Sequence, residues 1–158
     1  MSREIIILRA GKHHRPDWEA LCADYRRRME RDFRVRDQLI KVKVRGEGKT
    51  RLRAEGQALL SALPDPSWTI ALDARGKVQS SEKFASELLR LRDEWPHSIT
   101  FLLGSDLGLS REILTKSRQR LSFGPMIFGH ELARLMLYEQ LYRVSAIHRG
   151  INYHRASL

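Results

Sequence analysis

Residues 121–155 read LSFGPMIFGHELARLMLYEQLYRVSAIHRGINYHR, and the order of features in that stretch decides how the rest of the chain is read. Leu121 to Gly129 is a short apolar run interrupted by Gly124, Pro125 and Gly129. It predicts a loop whose backbone turns sharply and comes close to a neighbour. From about His130 to His148 the apolar residues recur at three- and four-residue spacing, which predicts the strongest helix in the protein. Gly150-Ile151-Asn152-Tyr153-His154-Arg155 then forms a short tail rich in polar groups. Loop, helix and reactive tail in that order read as a site, with everything upstream as its scaffold.

On that helix, residues three and four apart share a face. His130, Glu131 and Arg134 fall on the first turns, and Glu139, Tyr142 and Arg143 recur further along. Leu132, Leu135, Met136, Leu137, Leu141, Val144 and Ile147 spread over more than one stripe, so the helix is expected to be buried on two sides, in a core or at a subunit contact. The plain reading of Glu139 and Arg143 is an i,i+4 salt bridge. His130 taken alone is a helix-start residue.

Upstream, short apolar runs alternate with helical periodicity. Ile5–Leu8 and Ile99–Leu103 are continuously apolar, as expected of strands covered on both faces of a parallel sheet. Val35–Val44 and Trp68–Leu72 supply two more strands. Helices are expected from Pro16, over Arg51–Leu63 with Gly56 permitting close packing, after Ser80 or Ser81, and from near Ser110. The first carries an apolar stripe of Trp18, Leu21, Cys22, Tyr25 and Met29. Strands alternating with helices predict a mostly parallel α/β sheet in one domain spanning residues 1–158. In such sheets ligands sit beyond the carboxyl ends of the strands. Those ends here carry Leu72-Asp73, Gly104 and the Leu121–Phe128 loop. The Gly104–Gly108 turn lacks both the Lys-Ser/Thr ending of a P-loop and dinucleotide spacing.

Composition narrows the function. The 158 residues carry 29 Lys and Arg against 19 Asp and Glu, a formal charge of +10 that suits a polyanionic partner, above all nucleic acid. Arg26 to Arg53 is the most basic stretch and the expected RNA-backbone surface. No run is apolar enough to span a bilayer, and no signal-peptide pattern opens the chain. The single cysteine, Cys22, lies on an apolar helix face, reads as a buried structural thiol, and fits a reducing cytoplasm. No cysteine–histidine spacing supports a zinc site, so no metal is expected.

Phe128-Gly-His-Glu-Leu-Ala-Arg134, Glu139-Gln-Leu-Tyr-Arg143, Gly150 and Tyr153-His154-Arg155 together resemble the C-terminal signature of the RlmH-type SPOUT methyltransferases. The resemblance extends to Leu72-Asp73-Ala-Arg-Gly76-Lys77, Ser80-Ser81-Glu82 and Phe101-Leu102-Leu103-Gly104, and covers nearly the whole chain. The chain departs from the family at Ser105, where a second glycine is usual, and at Gly129, where proline is usual. The resemblance implies an α/β trefoil-knot fold with helices on both faces of the sheet, a homodimer, and S-adenosylmethionine held bent by main-chain groups. It implies methylation of the N3 imide nitrogen of a pseudouridine in 23S ribosomal RNA, with the assembled ribosome as partner. Carried over by position, the cofactor residues are Leu72, Gly104, Phe123, Gly124, Pro125, Met126, Ile127 and Phe128. A branched side chain at Gly104 is expected to fill space the ligand needs.

Among the catalytic candidates carried over in the same way, His154 is the expected base, because an imidazole ordinarily titrates near neutrality. Tyr153 is expected to stack on or hydrogen-bond the flipped base, and Arg143 and Arg155 to stabilise negative charge or hold a phosphate. His130 is the alternative base. Two rival classes remain: a non-catalytic basic RNA- or ribosome-binding protein, and a metal-dependent nuclease using Asp73, Asp106 and Glu139.

Overall fold

A computed structural model describes residues 4–11, 15–43 and 46–153. Five strands and five helices follow one another in the order β1 (Glu4–Gly11), α1 (Pro16–Arg28), β2 (Arg34–Lys41), α2 (Lys49–Ala62), β3 (Ser67–Val78), α3 (Ser81–Glu94), β4 (Ser98–Leu103), α4 (Arg111–Lys116), β5 (Gln119–Ser122) and α5 (His130–Arg149). The strands form one sheet, β2-β1-β4-β3-β5, parallel throughout.

The continuously apolar strands explain the layering. Successive side chains point to opposite faces of a strand. Ile5 and Ile7 of β1 therefore join Phe101, Leu88, Leu137, Leu141 and Val144 in a core beneath α1, α3 and α5. Ile6 and Leu8 join Leu102, Leu59 and Ile113 beneath α2 and α4. Helices thus cover both faces. Ser80 and Ser110 cap α3 and α4, each side-chain oxygen accepting a main-chain N–H three residues on. At Gly56 a Cβ would lie 2.3 Å from Ser110 Oγ, so the glycine lets α2 approach the start of α4.

Several boundaries differ from expectation, for identifiable reasons. β2 ends at Lys41 rather than Val44, and Val44 lies outside the described residues. β3 continues past Leu72. Leu72 and Lys77 both register with Leu121, so residues 73–76 leave the ladder as a bulge before Lys77 and Val78 pair again. Gly76 marks the return, since a Cβ there would meet the Arg120 main chain at 2.8 Å. Leu121 and Ser122 belong to β5 rather than to a loop. Leu21 is half exposed although it falls on the expected inner stripe of α1; Cys22 and Met29 are fully buried.

The buried half of α5 is more polar than its apolar residues suggest. Arg134 is 1% exposed, and its guanidinium donates to Asp37 Oδ2 at 2.7 Å and Glu19 Oε1 at 2.6 Å. Arg9 donates to Asp37 Oδ1 at 3.0 Å, Glu19 Oε1 at 2.9 Å and Glu131 Oε1 at 3.3 Å, and the Tyr138 hydroxyl donates to Asp37 Oδ2 at 2.8 Å. Every charge has an opposite partner, which is what such burial requires. The cluster fastens the first turns of α5 to β1, β2 and α1, and so fixes where the preceding loop must arrive.

Candidate functional site

Beyond the carboxyl ends of β3 and β4, three loops enclose a cavity of about 700 Å³. Its walls come from Leu72 and the β3 bulge that follows it (residues 73–75 of the bulge), the loop after β4 (103–109), and the loop between β5 and α5 (123–129), closed by His130 and Ala133. All eight expected cofactor residues line it: Leu72, Gly104, Phe123, Gly124, Pro125, Met126, Ile127 and Phe128. The volume suits a ligand of several hundred daltons. Met126 and Ile127 project into solvent at its lip, 73% and 94% exposed.

The loop after β4 is tight. Gly108 N–H donates to Ser105 O at 2.9 Å, and a Cβ on Gly104 would sit 2.3 Å from the Gly108 carbonyl carbon and oxygen. Gly104 is therefore demanded first by its own turn. The expected reason, that a larger side chain fills the ligand's space, comes second. Gly108 and Gly124 have φ of +78° and +119°, where a Cβ is strained.

Ser105 has work of its own. Its Oγ donates to Glu55 Oε2 at 2.8 Å and accepts from Leu107 N–H at 3.3 Å. Arg51, one turn from Glu55 on α2, donates to Asp106 Oδ1 at 2.7 Å, and that hydrogen bond holds the Asp106 carboxyl below its usual range. A pair of α2 side chains thus anchors the turn.

Ser122 is the residue that sequence reasoning missed. Its Oγ lies 2.9 Å from Ala74 O and 3.1 Å from Gly124 O, and accepts from Gly124 N–H at 3.0 Å. One buried hydroxyl therefore joins the β3 bulge to the 123–129 loop. No local signal announces it, because its partner Ala74 is 48 residues away.

The catalytic candidates divide between the two ends of α5. His130 stands on the cavity rim, its side chain about half exposed and Nε2 4.0 Å from Glu131 Oε1. Arg143 lies ten residues beyond Ala133, about 15 Å along a helix rising 1.5 Å per residue. It forms the expected salt bridge with Glu139 and lies over the Tyr153 ring, 5.0 Å from its centroid. The Tyr153 hydroxyl donates to Glu139 Oε1 at 2.9 Å, and its ring meets Tyr142 edge-on at 4.7 Å. Burial, then hydrogen bonds to Tyr25 and Glu139, push the Tyr153 phenol above its ordinary titration range, so it keeps its proton and stays a hydrogen-bond donor. His154 and Arg155 lie outside the described residues.

The three carboxylates of the nuclease reading do not converge. Asp73 and Asp106 line the cavity, whereas Glu139 is held midway along α5 and lines a different groove. Among the described residues, no group of three or more His, Cys, Asp or Glu could hold a metal ion. No helix among them is long and apolar enough to cross a membrane.

The second groove, about 460 Å³, runs between α3 and α5 and is lined by Phe84, Phe123, Leu132, Leu135 and Met136 among others. Leu132 is 40% exposed there. Tyr142 is buried within its own chain against Tyr25 and Tyr153.

A family model described as predicted SPOUT methyltransferase matches residues 3–154. Proteins called ribosomal RNA large subunit methyltransferase H are similar to the chain. That of Desulfotalea psychrophila is 35% identical over 155 residues, 98% of this chain and 100% of its own. That of Nitratidesulfovibrio vulgaris strain DP4 is 33% identical over 153 residues, 96% of this chain and 98% of its own. The Listeria monocytogenes serovar 1/2a protein is 44% identical over 101 residues, and there the chain spans 64% of the relative's length. Among solved structures, a probable methylase family protein from Haemophilus influenzae superposes with a TM-score of 0.56 at 14% identity, over 98% of this chain and 71% of that one. A probable methyltransferase from Bordetella pertussis gives 0.56 at 15% identity, over 91% and 96%. At such identities these two speak for the fold alone.

Proposed function

The chain belongs to the SPOUT methyltransferase family, and from that premise we propose that it transfers the methyl group of S-adenosylmethionine to the N3 imide nitrogen of a pseudouridine in 23S ribosomal RNA. The acceptor is presented by the ribosome, in the cytoplasm, to a homodimer of this chain. The observation that carries the reading is the cavity at the carboxyl ends of β3 and β4, into which all eight expected cofactor residues converge. Relatives matched over nearly their full length, called ribosomal RNA large subunit methyltransferases, support the RNA substrate. The formal charge of +10 supports a phosphate-rich partner.

When bound, S-adenosylmethionine supplies an already activated methyl, so the protein needs neither a nucleophile nor a metal of its own. The chain's residues hold the ligand, orient the acceptor, exclude water and remove the imide proton. Main-chain groups of the 104–108 turn and the 123–128 loop bind the adenosine, and Leu72, Met126 and Phe128 form apolar walls. His154 takes the proton, Tyr153 meets the flipped base, and Arg143 and Arg155 face developing negative charge or a flanking phosphate. His130, on the rim, is the alternative base.

Arg143, far along α5, and Tyr153, beyond its end, lie too far away to serve the cavity of their own chain, which favours a site completed by the tail of a second copy. Leu132, Leu135 and Met136 in the second groove offer that copy an apolar seat.

The test begins with calorimetry of S-adenosylmethionine, then methyl transfer to ribosomes lacking the modification. His154→Ala should keep the dimer and the cofactor affinity yet lose about two to four orders of magnitude in rate. Mixed His154→Ala and Gly104→Val heterodimers should regain one working site of two. Ribosome binding by a wild-type protein with no affinity for S-adenosylmethionine would leave the non-catalytic reading instead. A clean monomer by sedimentation at tens of micromolar (roughly, for an obligate interface) would remove the shared site.

A further inference from the structure

One carboxylate on the cavity wall lacks the partner its burial calls for. Asp73 is the first residue of the β3 bulge, pushed out of the ladder where the pairing with β5 skips from Leu72 to Lys77. Its side chain is 16% exposed, and its Oδ2 is buried with no hydrogen bond. The nearest cation is Arg75 Nε, 3.8 Å away on a side chain that is 82% exposed. That is beyond hydrogen-bonding distance and largely screened by water. The other cavity carboxylate, Asp106, is satisfied by Arg51. Among the described residues, Asp73 Oδ2 is the one buried, unpartnered side-chain polar atom belonging to a residue of this cavity.

An ionised carboxylate only accepts hydrogen bonds, and burying one of its oxygens without a donor is costly. Native structures leave few such atoms, and each calls for an explanation. Here the surrounding loop supplies none. The Ser122 hydroxyl is committed to Ala74 O and Gly124 O, and Leu107 N–H is committed to Ser105. The carboxylate as a whole is 16% exposed and lines the cavity, so the donor it lacks can come from what fills that cavity. That ligand has to carry hydroxyl or ammonium hydrogens near the β3 end, rather than phosphate or carboxylate oxygens, which Asp73 would repel.

We propose that Asp73 is a cofactor contact that accepts hydrogen bonds from the ribose hydroxyls or the ammonium group of bound S-adenosylmethionine. The inference rests on the methyltransferase reading above. It adds a charged side-chain acceptor to a site otherwise drawn from main-chain groups and apolar walls, and it gives the bulge a purpose. The bulge turns a carboxylate from the sheet toward the ligand.

The test compares wild type with Asp73→Asn and Asp73→Ala, by calorimetry and thermal unfolding, on the full chain. Binding of S-adenosylmethionine to wild type is the control, and its absence would defeat the methyltransferase reading rather than this one. Given that binding, the variants should lose about ten- to a hundredfold in affinity, the usual worth of hydrogen bonds to a charged group. The free variants should melt at or above the wild-type temperature, since an unsatisfied charge has been removed. A merely structural Asp73 would behave oppositely, lowering the melting temperature of the free protein.

Two analogues separate the donors. S-adenosylhomocysteine keeps ribose and ammonium without the sulfonium charge, and 5′-methylthioadenosine keeps only the ribose. Equal losses on all three ligands assign the ribose hydroxyls. Losses on S-adenosylmethionine and S-adenosylhomocysteine, but not on methylthioadenosine, assign the ammonium. A loss confined to S-adenosylmethionine would mean simple attraction to the sulfonium, and unchanged affinity would mean no contact; either result overturns the proposal.

Discussion

Alanine at position 104 adds one methyl group in a place where only main chain can answer it. The new Cβ would lie 2.3 Å from the Gly108 carbonyl carbon and oxygen and 2.8 Å from its Cα. No rotamer change relieves an overlap with backbone, so the 105–108 turn must retreat by roughly 1 Å to reach ordinary van der Waals separation. That movement threatens the Gly108 N–H to Ser105 O bond at 2.9 Å and the Ser105 bond to Glu55 at 2.8 Å. At about 1 kcal/mol each, their loss costs about 2 kcal/mol of stability. For a chain of this length that lowers Tm by about 4–8 °C. If the displaced turn also gives up one or two main-chain bonds to the cofactor, Kd rises about five- to thirtyfold. Gly129→Ala is the matched control, because a Cβ there meets nothing within 4 Å and its φ of −55° suits any residue. Thermal melts and calorimetry of both variants check the reasoning. A Gly104→Ala protein that melts with wild type and binds within about twofold of it (below the worth of one hydrogen bond) would remove the turn from the site.

Ser122→Ala cuts the link between Ala74 and Gly124, so it should weaken cofactor binding by about tenfold while costing roughly 1 kcal/mol of stability; an unchanged Kd would show that the two loops hold themselves. Arg134→Ala leaves Asp37, Glu19 and Glu131 with Arg9 as their one remaining cation in the cluster and should cost about 3–5 kcal/mol in urea unfolding. A loss under about 1 kcal/mol, the range of surface pairs, would mean that the cluster is solvated. Burial raises the Cys22 thiol from 9.0 to about 11. Cys22 should therefore react with a disulfide reagent only on unfolding, and prompt labelling of the native protein at neutral pH would contradict its burial. The linked stability has a definite sign. The folded chain holds this proton more tightly than the unfolded one, so the contribution is complete below about pH 9 and is lost as pH rises through about 11.

What could be read from the sequence was local, and what could not was paired over distance. Ile5–Leu8 and Ile99–Leu103 declare themselves because a strand buried on both faces needs only its own residues to be apolar. Gln119-Arg120-Leu121-Ser122 offers no such pattern. It is a four-residue edge strand with two exposed polar side chains, formed by its pairing with β3. Asp73-Ala-Arg-Gly76 reads as the end of a strand, and the chain does leave the ladder there. That Lys77 and Val78 rejoin it follows from Leu121 and Ser122, more than forty residues later. The same division runs through the site. Its main-chain residues were placed by family resemblance, and all of them line one cavity. Its supports, Glu55 on Ser105 and Ser122 on Ala74, join residues about fifty apart and carry no local mark.

The basic composition shows how far a count stands from a surface. Within the stretch from Arg26 to Arg53, Arg27 and Arg28 share Asp24, Arg51 is spent on Asp106 and Glu55, and Asp37 is sunk among Arg9 and Arg134. The charges left facing water include Arg31, Arg34, Arg36, Lys41 and Arg53. Three of these lie on β2, an edge of the sheet, where charge also discourages pairing with another chain's strand. Because every strand runs the same way, Lys41 at the end of β2 lies at the end of the sheet where β3 and β4 deliver the cavity. Edge protection accounts for charge anywhere along β2. It does not account for Lys43, which continues the exposed charge past Lys41, the last paired residue, toward the end where the polyanion of the proposed function would arrive.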